Sequence, residues 1–180
     1  KKGRKEYEKL KLEEVEFEKK KLGEISEELL NGFSYGNAND KGGIIHIRPN
    51  NISEDGRLVL DKVKFVPEKL KEEKEKYFLK KGDILFNNTN SIDLVGKTCY
   101  IREDLNAFFS NHITRIRLKS GYYPLYVSLN LQSLFLQGFF KDKATRFVNQ
   151  AGISLDDLRE VEIYIPKSNS YYSSYNIQKA

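Results

Sequence analysis

Gly96-Lys97-Thr98, near the end of the run GDILFNNTNSIDLVGKTCY (82–100), has the chemistry that closes a phosphate-binding loop: a glycine, an ammonium and a hydroxyl. Such a loop needs a second glycine five positions earlier, where backbone N–H groups wrap the phosphates. That position is Ser91, and Ile92, Leu94 and Val95 crowd the turn with apolar side chains where positive φ favours glycine. The run is therefore not a nucleotide site. Other catalytic classes fail on similar grounds. The four prolines (Pro49, Pro67, Pro124, Pro166) stand alone, so the Asn/Asp-Pro-Pro-aromatic run that grips a flipped base is missing, as is a glycine-rich cofactor loop. Cys99 is the single cysteine and has only His46 and His112 for company, in no zinc-like spacing. Asp83 and the Glu72 to Glu75 group are carboxylates of the kind a metal-dependent nuclease uses, but Asp83 directly after Gly82 fits a turn before a strand better. The chain reads as non-catalytic, without metal or cofactor of its own.

What remains is recognition chemistry. Asn87, Asn88 and Asn90 form an amide-rich loop, and asparagine pairs bidentately with adenine; the same amides also cap turns. Lys97 has the charge for phosphate, and Arg48, after a buried strand, suits phosphate, guanine or an internal ion pair. Asn111 and His112 flank a strand, with His112 the more structural of the two, and Tyr35 and Asn37 lie in a glycine loop able to approach a groove. Lys141, Lys143, Arg146 and Asn149 make the densest basic, amide-bearing patch. Phe108, Phe109, Phe135, Phe139 and Phe140 fall at apolar positions of strands and helices and belong to a core.

The charge distribution agrees with this pattern. Of the net +5, most arises between residues 87 and 150, which hold eight Lys/Arg against four Asp/Glu. A basic, amide-rich region suits a polyanion, although +5 alone also fits a merely soluble surface. At 180 residues the chain suffices for one domain with an appendage. No apolar run is long enough for a membrane span and the charged N-terminus has no apolar signal core, so a cytoplasmic location is expected. The chain has no methionine, which suggests a piece of a longer protein.

These residues need elements to position them. Residues 1–21 read as a charged helical or partly ordered arm leading into an edge strand around Val15 to Lys19. Residues 22–43 suggest a short helical piece, then a Gly/Asn loop. GIIHI is a buried strand stopped by Pro49, RLVLDKVKFV a strand or hairpin, and PEKLKEEKEKYFL a charged helix opened by Pro67. ILF, VGKTCYI and HITRIRLK read as strands around a polar loop NNTNS; residues 124–141 read as a helix with Leu125, Leu129, Gln132, Leu136 and Phe140 on one face. Ser154 caps a short helix before a last strand, VEIYI. The fold class is α+β: a single mixed domain with a curved, mainly antiparallel sheet and flanking helices.

In order, HIRPNNIS, GDILFNNTNS with LVGKT, FSNHITRIRL, YPLYVSLNLQS and NQAGISLDDLREVEIYIP resemble the target recognition domain of type I restriction-modification specificity subunits, over residues 22–166. The resemblance implies a duplex-DNA reading module that directs partner adenine-N6 methyltransferase (modification) subunits and a restriction subunit to one half of a split target. It places S-adenosylmethionine and ATP on those partners, and a second copy of the domain on the other half-site. The polar tail KSNSYYSSYNIQKA (167–180) departs from the family's long spacer helix and reads as a truncated spacer. A recognition domain of a fused restriction-methyltransferase, with catalytic sites elsewhere, and a protein-binding adaptor remain open.

Overall fold

A computed structural model describes residues 16–39 and 41–167. In chain order its strands are β1 (Phe17–Lys21), β2 (Ser26–Asn31), β3 (Ile44–Ile47), β4 (Lys64–Val66), β5 (Ile84–Asn87), β6 (Thr89–Asn90), β7 (Thr98–Tyr100), β8 (Ala107–Phe109), β9 (Ile113–Leu118), β10 (Thr145–Arg146), β11 (Ala151–Gly152) and β12 (Glu162–Pro166). The helices are α1 (Leu22–Ile25), α2 (Pro124–Leu136), α3 (Phe139–Lys143) and α4 (Leu155–Arg159).

β5 is the central partition. Its side chains alternate, as strand geometry requires, so that Ile84 and Phe86 face one core cluster and Leu85 the other. The sheet containing it is antiparallel, in the order β2-β9-β5-β7. On the Ile84/Phe86 side, Val127 and Leu131 of α2, Phe140 of α3 and Leu158 of α4 close the larger cluster. On the Leu85 side, Ile47, Ile52, Cys99, Phe109 and Ile113 join it to a second sheet, β4-β3-β8, in which β3 and β8 run parallel. The α+β class therefore holds, with four small sheets of two to four strands among the described residues where a single sheet was expected. β1 pairs with β12 at the periphery, so the edge strand expected near residue 15 starts at Phe17.

Three expectations about elements change. The charged helix over 67–79 is instead a pair of tight 3-10 turns, Glu68–Leu70 and Glu75–Tyr77. Its apolar residues, Leu70 and then the consecutive Tyr77, Phe78 and Leu79, leave the middle turn unanchored, and Leu79 must extend to bridge Leu105. The short helical piece is Leu22–Ile25, and an unforeseen strand precedes the Gly/Asn loop because β9 offers Ser26–Asn31 a ladder. In α2 the buried face is Val127, Ser128, Leu131 and Gln132, while Leu125, Leu129 and Leu136 are exposed. The helix is apolar on nearly every side, so sequence periodicity could not choose the face. Phe140 lies in a separate helix because Gly138 breaks the chain direction at φ 80°.

His46 is buried on β3 against the Phe33 ring, at 5.1 Å between centroids, and neither ring nitrogen has a hydrogen-bond partner among the described residues. Burial pushes its pKa down to about 4, Arg48 adds to the fall, and the nearby Phe33 and Phe109 carbonyls oppose it. The unfolded chain then binds a proton between the ordinary pH 6.5 and 4 that the folded chain refuses. Stability should accordingly drop through that window as pH falls, by up to about 3 kcal/mol at 1.36 kcal/mol per unit. Thermal unfolding followed from pH 7 to 4 checks this: His46→Leu should show a visibly flatter pH dependence than the native chain.

Candidate nucleic-acid interface

The register of the strands brings the amide-bearing loops to one edge. β3 and β8 end together, with Ile47 opposite Phe109, and Arg48 and Ser110 follow. β8 turns through Ser110-Asn111-His112 into β9, whose first residue Ile113 lies opposite Asn87 at the end of β5. β2 ends beside them, Asn31 opposite Thr114, and Phe33 then bridges Ser110. The hairpin β10–β11 reaches the same edge through β6, with Ala151 opposite Asn90. Loops distant in sequence thus meet because the strands that carry them share a terminus.

Asn88 ties this edge together. Its Nδ2 donates to Thr114 Oγ1 (3.0 Å), to Asn31 Oδ1 (3.2 Å) and to the Asn111 carbonyl (3.2 Å). Its backbone N–H donates to the His112 carbonyl, and its carbonyl accepts from Ile153 N–H (2.9 Å), which pins the hairpin. Asn87 Nδ2 donates to the carbonyls of Thr89 (2.8 Å) and His112 (2.9 Å), and its Oδ1 accepts from Asn90 Nδ2 (2.7 Å). Both side chains are buried. Of the two roles open to these amides, the structure assigns Asn87 and Asn88 the turn-building one. Asn90 is half-exposed, and its Oδ1 also accepts from Ser91 N–H.

Lys97 differs from its expected place. It is buried, and its ammonium donates to the carbonyls of Pro49 (3.1 Å) and Ile52 (2.5 Å), closing the tight turn after β3. Burial pulls its pKa below the usual lysine range. A side chain so engaged does not reach phosphate; it fixes the loop that carries Arg48. Asn51 supports the same loop, accepting from Arg48 N–H (3.0 Å) and donating to the carbonyls of Val59 and Lys62.

The remaining candidates face outward. Asn37, Asn111, Lys141, Lys143, Arg146 and Asn149 are exposed, and Tyr35 and Arg48 are half-exposed. Tyr35 rests on the cluster of Ile44, Val66 and Phe108, with Asn37 in the turn beyond it. Lys141 pairs with Asp93 at 2.5 Å, Lys143 at the end of α3 lies over the Phe139 ring at 5.9 Å, and Arg146 is exposed on β10. The basic count of residues 87–150 is thereby redistributed: Lys97 and Arg115 are buried, and Arg117 is paired with Asp83 at 2.6 Å. Sequence reading passed over Phe147 and Val148, the exposed apolar tip of the hairpin. Their signal was two apolar residues inside a polar run. Among the described residues no group of three or more His, Cys, Asp or Glu is placed to hold a metal, and no helix is long and apolar enough to cross a membrane.

Residues 14–179 match the model of the type I restriction modification DNA specificity domain. A putative type I restriction enzyme MjaX specificity subunit of Methanocaldococcus jannaschii is 30% identical over 154 residues, covering 84% of this chain and 36% of that protein. The fold resembles the crystal structure of a type I restriction-modification S subunit from M. genitalium (TM-score 0.58, 15% identity, 86% of this chain and 35% of that one). It also resembles the HsdS subunit of Thermoanaerobacter tengcongensis (TM-score 0.54, 14% identity, 83% and 33%). The chain spans about a third of the length of each of these proteins.

Proposed function

The chain belongs to the type I restriction modification DNA specificity domain family, and from that premise we propose that it reads duplex DNA for a restriction-modification assembly without doing chemistry itself. One observation supports the reading: the Asn111 turn and the hairpin that carries Arg146 and Asn149 are both tied to the buried Asn87–Asn88 network, and these three side chains are exposed. Exposed cations suit phosphates, and exposed amides suit base edges. In this reading the domain covers one half of a split site and a second copy of it, or a second recognition domain, covers the other. Adenine-N6 methylation and ATP-driven restriction belong to partner subunits that hold S-adenosylmethionine and ATP. The setting is the cytoplasm.

The experiment is binding of the full specificity protein, assembled with its modification partners, to duplexes at graded salt. Affinity should fall steeply with salt through counterion release. Alanine at both Lys143 and Arg146 should weaken binding to all sequences and reduce the salt slope by about two, near 0.9 for each phosphate no longer neutralised. Asn149→Ala should instead alter which sequence becomes methylated, detected by mapping methylated adenines. An assembly with no affinity for any duplex at low salt overturns the reading.

A further inference from the structure

Among the described residues, Phe147 and Val148 are the one pair of large apolar side chains consecutive in sequence and both exposed, at 61% and 97%. They occupy the tip of β10–β11, a place where turn chemistry ordinarily favours Gly, Asn, Asp or Ser. The tip is well held. Phe147 N–H donates to the Gln150 carbonyl at 2.7 Å, Arg146 lies opposite Ala151, and β11 is pinned through β6 to the buried Asn87–Asn88 network. The Phe147 ring folds back on the hairpin, so that a Cβ added to Gly152 would stand 3.3 Å from its Cε2. Val148 therefore leads, Asn149 and Gln150 follow it, and Arg146 stands behind on β10.

Resting on the DNA reading above, we propose that this hairpin enters the major groove and that Val148 packs on the C5-methyl group of a thymine while Asn149 takes an adenine edge. The major groove admits a two-stranded ribbon, and the thymine methyl is its apolar feature. A branched apolar side chain beside an amide matches what A·T pairs present there: a methyl on one base, and the N6 and N7 of adenine on the other. Insertion between base pairs fits less well. Such wedges use long or flat side chains, and here the larger ring lies back against Gly152 while the short valine points out.

The test uses the full specificity protein with its modification partners and the duplex identified by mapping methylated adenines. Each thymine of the target is replaced in turn by deoxyuridine, which removes one methyl group and leaves pairing intact. At one position the native assembly should bind about three- to fourfold more weakly, the value of one buried methyl. Val148→Ser, on an exposed side chain that the fold does not need, should bind the thymine and deoxyuridine duplexes equally at that position. The proposal is overturned if every deoxyuridine duplex binds like the native one, or if Val148→Ser keeps the full discrimination. Enhanced 2-aminopurine fluorescence at the contacted step, abolished in Val148→Ser, would place the side chain inside the stack and also overturn it. In each of those results DNA binding persists; absence of binding to any duplex would instead overturn the underlying reading together with the proposal.

Discussion

Asp83→Ala is expected to lower the unfolding free energy by about 3 kcal/mol, the low end of the range for removing one partner of a buried ion pair. Asp83 is buried at the start of β5, where its carboxylate accepts from Arg117 Nε at 2.6 Å and Nη2 at 3.1 Å, and from Lys80 N–H at 2.8 Å. Removing it leaves Arg117 Nε and the Lys80 N–H without their acceptor, while Arg117 Nη2 keeps the Phe78 carbonyl. Arg117 is partly exposed and relaxes toward water, which sets the loss at the lower end. Asp83→Asn retains an acceptor for Lys80 and should lose roughly half as much, since charge-assisted bonds are about twice as strong as neutral ones. Urea midpoints of the three proteins check the order. The prediction also decides a chemical question raised by the sequence, because a nuclease carboxylate would be dispensable for stability. An unchanged midpoint in Asp83→Ala would refute the structural role.

The same residue shows what was legible in advance. Gly82-Asp83 before Ile84-Leu85-Phe86 reads as turn and strand because both signals are local: a positive φ at Gly82, 94°, and a short apolar run. The strands at Ile44–Ile47, Thr98–Tyr100, Ile113–Leu118 and Glu162–Pro166, the Ser154-capped helix and the aromatic core of Phe108, Phe109 and Phe140 were legible for the same reason, whereas β6, β8, β10 and β11 were not. What was hidden depended on distant partners. Ser26–Asn31 has helical composition and becomes a strand because β9 lies beside it. Lys97 reads as a solvent cation until Pro49 and Ile52 bring their carbonyls within reach, 45 residues or more away. Asn87 and Asn88 look like readers because an amide in a loop has the same chemistry whether it faces bases or backbone. Only the position of the Asn111–Thr114 turn separates the two. The apolar hairpin tip escaped notice because exposure, not residue type, makes Val148 unusual.

Gly96→Ala should be as damaging as the loss of Asp83, costing about 3 kcal/mol or more, from a strained left-handed backbone and an overfilled core. Gly96 has φ 97°, and a Cβ there would stand 2.4 Å from Cδ2 of the buried Phe140 ring. Its N–H donates to the Asn87 carbonyl at 2.9 Å, and Asn87 N–H returns a bond to the Lys97 carbonyl at 2.8 Å, so the chain must pass this point without shifting. The two costs are separable. Phe140→Leu alone loses packing, but in a double-mutant cycle it should recover the part of the Gly96→Ala penalty due to the clash and leave the backbone part. Chemical denaturation of the four proteins measures both. Additive losses would show that Phe140 is not what excludes a side chain at position 96. A positive coupling near 1 to 2 kcal/mol, within the range for residues in contact, gives the glycine its role. It sets the strand that returns after the asparagine loop against α3, and the helix in turn leads into the β10–β11 hairpin.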